Sequence, residues 1–303
     1  TVARLGASGV TFITKKSHFG KRGAIRCAFL RTIRYSDQLK GNFSMKKLYQ
    51  SEMNDEIAKY AHLRPDERFT EADIAHLPMP IQHYFEYCCY IGKPKMVNAE
   101  VIWSDSAIKM GTDKPWMPLK THQFNSVPRP FRIAYMQAKV MGFIPFEGRD
   151  LYTSEEGAML GKVAKFITLF DNHDKELAQS GLATTFAESF LIPSYVLQPY
   201  ISWSAIDDNV VQGCIEYNGL QVIATFTFDE MGRMIRYDTQ DRFMSLPKGE
   251  YAKVPFSAIC GDYVERNGVK FPSKLSAVWH LETGDYEYYV GTIADIHYNL
   301  NNG

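Results

Sequence analysis

The sequence predicts an α+β fold: a strongly curved antiparallel sheet, a half-barrel, under helical cover and preceded by an N-terminal helical segment. Three observations predict it. Apolar residues alternate with a period of two from Val97 onward, short turn signals separate the alternating runs, and the helical period is confined to residues before 95 and to a single later stretch.

Taken in order, residues 51–60 are polar and helix-compatible, and Thr70 with Glu71 opens a short helix that Pro78 closes. Pro80 suits a first helical turn, and Ile81, Tyr84, Phe85 and Cys88 follow at the spacing of one buried face until Gly92. Val97, Ala99, Val101 and Trp103 then share one side of a strand, opposite Asn98 and Glu100. Residues 131–140 and 158–170 are expected to be further strands. The second is apolar on both sides (Leu160, Ala164 and Phe166 against Met159, Val163 and Ile167), which predicts burial on both faces.

One helix, about 175–191, interrupts the strands, with Leu182, Phe186 and Phe190 on one face and Pro193 beyond its end. Asn218-Gly219 between two alternating runs is a strong hairpin signal, because both residues tolerate positive φ. Turns at 228–232, 265–268 and 282–284 continue an antiparallel meander to the C-terminus, and Leu220, Val222, Ala224, Phe226 and Phe228 form its apolar face. The expected division is a basic tail at 1–48, disordered or not, a helical segment at 49–95 and the β domain at 96–303.

A length of 303 residues with 45% hydrophobic and 22% charged residues is that of a globular chain with a sizeable core. Thirty-four basic against 34 acidic residues argue against a nucleic-acid binder. The first fifty residues stand apart, with eleven Lys and Arg against Asp37 alone. Such a leader reads as a targeting segment, an arm that touches an anionic membrane or a partner, a disordered tail, or an extension ahead of Met45. The longest uncharged run, 189–206, is broken by Pro193 and Pro199 and does not read as a membrane span. Cys27, Cys88, Cys89, Cys214 and Cys260 are too irregularly spaced for a disulfide framework or a metal knuckle and read as buried thiols.

Several blocks together resemble a known family. Residues 77–85 (LPMPIQHYF), Gly148-Arg149-Asp150-Leu151-Tyr152 with Glu156-Gly157-Ala158-Met159, 187–193 (AESFLIP) leading to Trp203 and Ile206-Asp207, 228–232 with Arg242, and Asp262-Tyr263, Gly268-Val269, Pro272 and Trp279 resemble, over roughly 73–298, the uncharacterised bacterial domain-of-unknown-function family numbered 6544 and its sister group 6920. Many of its members look membrane-anchored through an apolar N-terminal helix, which implies a membrane-associated or extracytoplasmic location; the leader here is basic instead. The family implies no activity. By analogy, a curved antiparallel sheet closed by a helix resembles the half-barrels of lipoprotein carriers, which implies a lipid-like ligand.

No sequence motif specifies a reaction: there is no HExxH, GxSxG, P-loop or GxGxxG after a strand, and no cofactor is implied. Glu188 lies in an apolar helical stretch, where a carboxylate must be paired, hydrogen-bonded or exposed; Arg242 is the partner to test. Asp150, Tyr152, Glu155 and Glu156 cluster near a turn and fit turn chemistry, a hard cation or acid–base work. Asp171, His173 and Asp174 read as helix capping more readily than as metal ligands, and Asp207-Asp208-Asn209 as a turn. Trp203 and Trp279 suit core packing or the wall of an apolar pocket.

Three functional expectations follow. The first is non-enzymatic binding of a lipid-like ligand in a cavity of the sheet, with Glu188, Arg242, Trp203, Tyr152 and Trp279 as ligand-binding candidates. The second is a hydrolase or other acid–base enzyme using Glu188 with Arg242 or Asp150. The third is a membrane-associated structural or interaction module.

Overall fold

A computed structural model describes residues 44–63, 66–246 and 249–301. Most of the expected basic tail, residues 1–43, lies outside the described residues. Helix α1 (Met45–Lys59) comes first, then α2 (Glu71–Ile74) and α3 (Met79–Tyr87). Strands β1 (Asn98–Ile108), β2 (Met117–Ser126), β3 (Phe131–Val140), β4 (Ile144–Tyr152), β5 (Gly157–Val163) and β6 (Ile167–His173) run as a meander. Helix α4 (Lys175–Ala187) and a 3-10 turn (Pro193–Tyr195) follow.

The chain then forms β7 (Ile201–Ala205), β8 (Val210–Tyr217), β9 (Leu220–Phe228), β10 (Met234–Thr239), the small ribbon β11 (Phe243–Ser245) with β12 (Tyr251–Lys253), and the long strands β13 (Phe256–Arg266), β14 (Val269–Leu281) and β15 (Gly284–Tyr298). Among the described residues thirteen strands make one sheet, ordered β6-β5-β4-β3-β2-β1-β15-β14-β13-β10-β9-β8-β7. Every pairing is antiparallel.

This order explains the place of α4. Its segment joins β6 to β7, the two edges of the sheet, and α4 touches β3, β4 and β5 as well as β9 from the other half. Strands so far apart in the order can meet one helix only if the sheet curls around it. The sheet is therefore large and curved, but among the described residues its edges stay unpaired and it does not close. Phe186 packs on Phe226 with ring centroids 5.0 Å apart and Phe190 on Phe228 at 5.3 Å, with Val222, Ala224, Leu182 and Ala183 completing this inner core. Glycines permit the close approach: a Cβ on Gly157 would sit 2.1 Å from the Ala178 nitrogen of α4, and one on Gly181 would meet the Tyr152 Cβ at 2.7 Å and its ring at 2.9 Å.

Helix α1 covers the other face of the first meander. Met45, Tyr49 and Ile57 pack on Phe124, Ile133, Tyr135 and Leu151 in a second core. Glu56 receives Arg129 Nε at 3.0 Å, and Glu52 receives Arg149. The strands β2–β4 thus lie between α1 and α4. In α2, Thr70 and Asp73 form a reciprocal capping box, and in α3 Ile81, Tyr84 and Phe85, with Cys88 just after it, are fully buried, as the spacing predicts. Tyr84 donates its hydroxyl proton to the Phe190 carbonyl at 2.5 Å, which ties α3 to the end of α4.

The expected hairpin at Asn218-Gly219 is present, with φ of 49° and 75°. The expected single strand over 158–170 is not. Ala164 and Lys165 take φ of 52° and 72°, so a tight turn divides the run into β5 and β6. Burial on both faces fails with it, because β6 is an edge strand and Phe166, Ile167 and Leu169 are exposed. Helix α4 ends at Ala187 rather than 191, leaving Glu188 as its C-cap. Cys88 and Cys260 are buried thiols as expected, whereas Cys89, at φ 61°, is exposed.

Candidate functional site

The concave face holds a cavity of about 180 Å³ between the end of α4 and strands from both halves of the sheet. Its walls are largely apolar, with Trp103, Ala134, Met136, Met159, Phe256 and Leu275 among them. Larger hollows of about 340 and 400 Å³ occur on the sheet surface, but their charged side chains reach solvent. Mostly apolar walls with a few convergent polar groups are the character of a specific site.

Four charged residues converge on the cavity: Arg132 from β3, Asp150 from β4, Glu188 from the α4 C-cap and Arg242 from the loop before β11. Arg132 Nε lies 3.0 and 2.9 Å from the two Glu188 oxygens, and its NH1 donates to Asp150 Oδ2 at 2.9 Å. Gln123 and Asn125 donate to Glu188 Oε2 at 2.9 and 3.2 Å. Trp103 Nε1 in turn donates to Gln123 Oε1 at 3.2 Å, so the amide's orientation is fixed. Burial opposes the Arg132 charge, but Glu188 and Asp150 outweigh it and hold the guanidinium protonated above its usual range.

Arg242 is differently placed. Its guanidinium stacks 4.0 Å from the Phe256 ring centroid and 4.9 Å from that of Trp279, and NH1 donates to the Tyr288 hydroxyl at 2.9 Å. Its Nε is buried without a hydrogen-bond partner. Among the described residues no carboxylate stands within ion-pair distance of it. The expectation that Arg242 pairs with Glu188 is therefore corrected: both line the cavity, but Arg132 holds the carboxylate.

The other candidates divide. Trp279 supports Arg242 from beneath. Trp203 does not reach the cavity, because its ring packs among Phe186, Phe190 and Phe226 and its Nε1 donates to the Val196 carbonyl at 3.0 Å. Tyr152 shares the Asp150 face of β4 but is buried under Gly181 in the inner core. Asp150 pairs with Arg132 rather than joining Glu155 and Glu156.

Sequence reasoning missed Arg132, Gln123 and Asn125. One signal was available: Arg132 alternates with Ala134 and Met136, so a strand face that is otherwise apolar carries a charge.

His173 lies between Glu156 and Asp171, its Nε2 2.9 Å from Asp171 Oδ1. Asp174 is the α4 N-cap residue, without a side-chain capping bond, and accepts the Tyr251 hydroxyl at 2.7 Å. Among the described residues no three His, Cys, Asp or Glu side chains are placed to hold a metal ion. Burial works against the His173 charge, but the two carboxylates prevail and raise its pKa above 6.5. A raised folded-state pKa gives stability that is complete below about pH 6.5 and is lost as pH climbs through the folded value. The thermal midpoint is expected to decline across that window, and less so in His173→Gln; identical slopes for the two proteins would refute this.

The profile of a family of unknown function, DUF6544, matches residues 67–291. No curated protein matches the chain. Among solved structures it is similar to a LolA superfamily protein from Nitrosomonas europaea, with 8% identity, a TM-score of 0.39, and coverage of 74% of this chain and 93% of that one. It is also similar to a DUF1329 family protein from Desulfovibrio piger, with 8% identity, a TM-score of 0.38, and coverage of 74% and 95%. No helix among the described residues is long and apolar enough to cross a membrane.

Proposed function

This chain belongs to the family of unknown function DUF6544, and we propose that it is a non-enzymatic binding protein whose cavity takes an amphipathic, lipid-like molecule with an anionic head group. The observation that carries this reading is Arg242: a cation without a carboxylate partner among the described residues, with a buried unpartnered Nε, at the wall of a mostly apolar cavity. A carboxylate or phosphate there would satisfy a charge that the described residues leave unanswered. Trp279 and Tyr288 orient the guanidinium for it.

The size of the cavity limits what it encloses. About 180 Å³ corresponds to roughly six water-sized groups, room for a head group and the first carbons of a chain. A longer chain would continue along the same face, where Met136 and Phe146 lie against Gly148 and the Phe170 ring lies over Gly161. Acid–base catalysis by Glu188 is disfavoured on chemical grounds, since Arg132, Gln123 and Asn125 already occupy its oxygens. Carriage of a lipid-like ligand suits a membrane-associated or extracytoplasmic location.

Native mass spectrometry of the purified protein, with extraction of any co-purifying lipid, tests the ligand class. Titration with decanoate and decanol tests the head group. Arg242→Gln is expected to weaken decanoate binding by about tenfold to a hundredfold, the worth of a charge-assisted hydrogen bond, and to leave decanol unchanged. Ala258→Trp, which fills the cavity, should weaken both. A protein that carries no lipid and binds neither probe, or an Arg242→Gln variant that binds decanoate as the parent does, would overturn the proposal.

A further inference from the structure

Three hairpin turns leave the sheet at the same end. Ile108 pairs with Met117, Val140 with Ile144 and Val163 with Ile167 at the three closures, while Leu119 faces Ala138 and Phe146 faces both Ala138 and Val163 across the intervening pairs. The β1–β2, β3–β4 and β5–β6 tips are therefore neighbours. Their side chains are not those of a solvated turn: Met110, Met141, Phe143, Phe166, Ile167 and Leu169 are 67%, 78%, 71%, 72%, 49% and 57% exposed. Met141 and Ala164 also take φ of 53° and 52°, where asparagine or glycine would be easier. Apolar residues stand here in spite of the local backbone preference.

The charge around them is mostly of one sign. Lys109, Lys114, Lys139, Lys162 and Lys165 flank the tips. Asp113 is the one carboxylate in the stretches 109–116, 139–146 and 162–170, and Lys114 already pairs with it at 3.1 Å. Lys109 lies 4.5 Å over the Trp116 ring, an amphipathic pair suited to a water–apolar boundary. The adjoining β14–β15 turn, with Glu282 and Asp285, is acidic and bounds the patch. Exposed apolar tips in a lysine ring complement one surface above others: apolar chains under anionic head groups.

We propose that these three hairpin tips dock the protein onto the anionic surface of a lipid bilayer, with Met141, Phe143 and Phe166 entering the head-group layer and the lysines pairing with lipid anions. The proposal is independent of the ligand reading. The sheet face that lines the cavity runs through Met136 and Phe146 toward these tips, so a docked protein would present that face at the membrane.

The test is co-sedimentation of the full chain with phosphatidylcholine vesicles with and without phosphatidylserine, at low and high salt. High salt screens attraction by the basic residues at the N-terminus and leaves apolar insertion. Phe143→Ser/Phe166→Ser is expected to weaken binding to phosphatidylserine vesicles at high salt by at least about tenfold with an unchanged Tm. Lys139→Glu/Lys165→Glu is expected to weaken it at low salt. Vesicle binding unchanged in both variants would overturn the proposal. So would sedimentation equilibrium showing that the patch instead joins two copies of the chain, in a dimer that the Phe143→Ser/Phe166→Ser change dissolves.

Discussion

Glu188→Ala is expected to destabilise the fold by about 3–5 kcal/mol, the cost of removing one partner from a buried ion pair. The carboxylate is the hub of the cavity wall: Arg132, Gln123 and Asn125 all donate to it. The Glu188 and Arg132 side chains are only 11% and 12% exposed, so water cannot readily replace a lost partner. Without the carboxylate, Arg132 keeps Asp150 alone, and two amides lose an acceptor inside the protein. Glu188→Gln is a separate probe, since it keeps the volume but turns an acceptor toward three donors into a mixed donor and acceptor. Replacing both charges, as Glu188→Leu with Arg132→Met, should cost less than the sum of the single changes, because the uncompensated charge goes with its partner. Urea denaturation of the single and double variants measures this. A loss below about 1 kcal/mol for Glu188→Ala would mean that solvent reaches the network and that it does not organise the site.

Why this network escaped sequence reasoning while the meander did not is a matter of which face is inside. Alternation in β9 was legible because its apolar residues, Leu220 to Phe228 by twos, face the core and the others face water. The turn at Asn218-Gly219 was legible because backbone chirality restricts what sits there. In β2 the same rule misleads. Phe124 marks one face as the inside, and it is buried, but against α1 on the outer side of the curve. Gln123 and Asn125, which alternation assigns to water, are 1% and 0% exposed because Glu188 approaches from the concave side. A strand buried on both faces by elements more than fifty residues away in the chain carries no local record of it. Glu188 was found because a charge among apolar neighbours is conspicuous by itself, and Arg242 as the cation to test against it; Arg132, in an alternating strand, resembled an ordinary surface charge. The 158–170 run failed for the opposite reason. Its apolar residues signalled burial, but β6 is an edge and they meet solvent.

Gly157→Ala is expected to be more damaging than its single added methyl suggests, at about 3 kcal/mol or more, the upper end of the range for overpacking. The added Cβ would lie 2.1 Å from the Ala178 nitrogen, 2.3 Å from the Leu177 carbonyl carbon and 2.5 Å from the Ala178 Cα. All three are backbone atoms of α4, so no side chain can rotate away, and the helix must move as a body. Its far end carries Glu188, and its buried face holds Leu182 and Phe186 in the inner core. A shift at residues 177–178 therefore strains the helix between a rigid contact at β5 and a dry one at β9. At roughly 2–4 °C per kcal/mol for a domain of this size, Tm should fall by several degrees or more. Decanoate binding should weaken in the same variant as the Glu188 end is displaced, whereas Gly219→Ala, at a solvent-facing turn with nothing within 4 Å, should leave binding unchanged. If Gly157→Ala matched the parent in Tm, α4 would have to ride loosely on β5, and the cavity it caps could not be the preorganised site that the Arg132–Glu188 geometry describes.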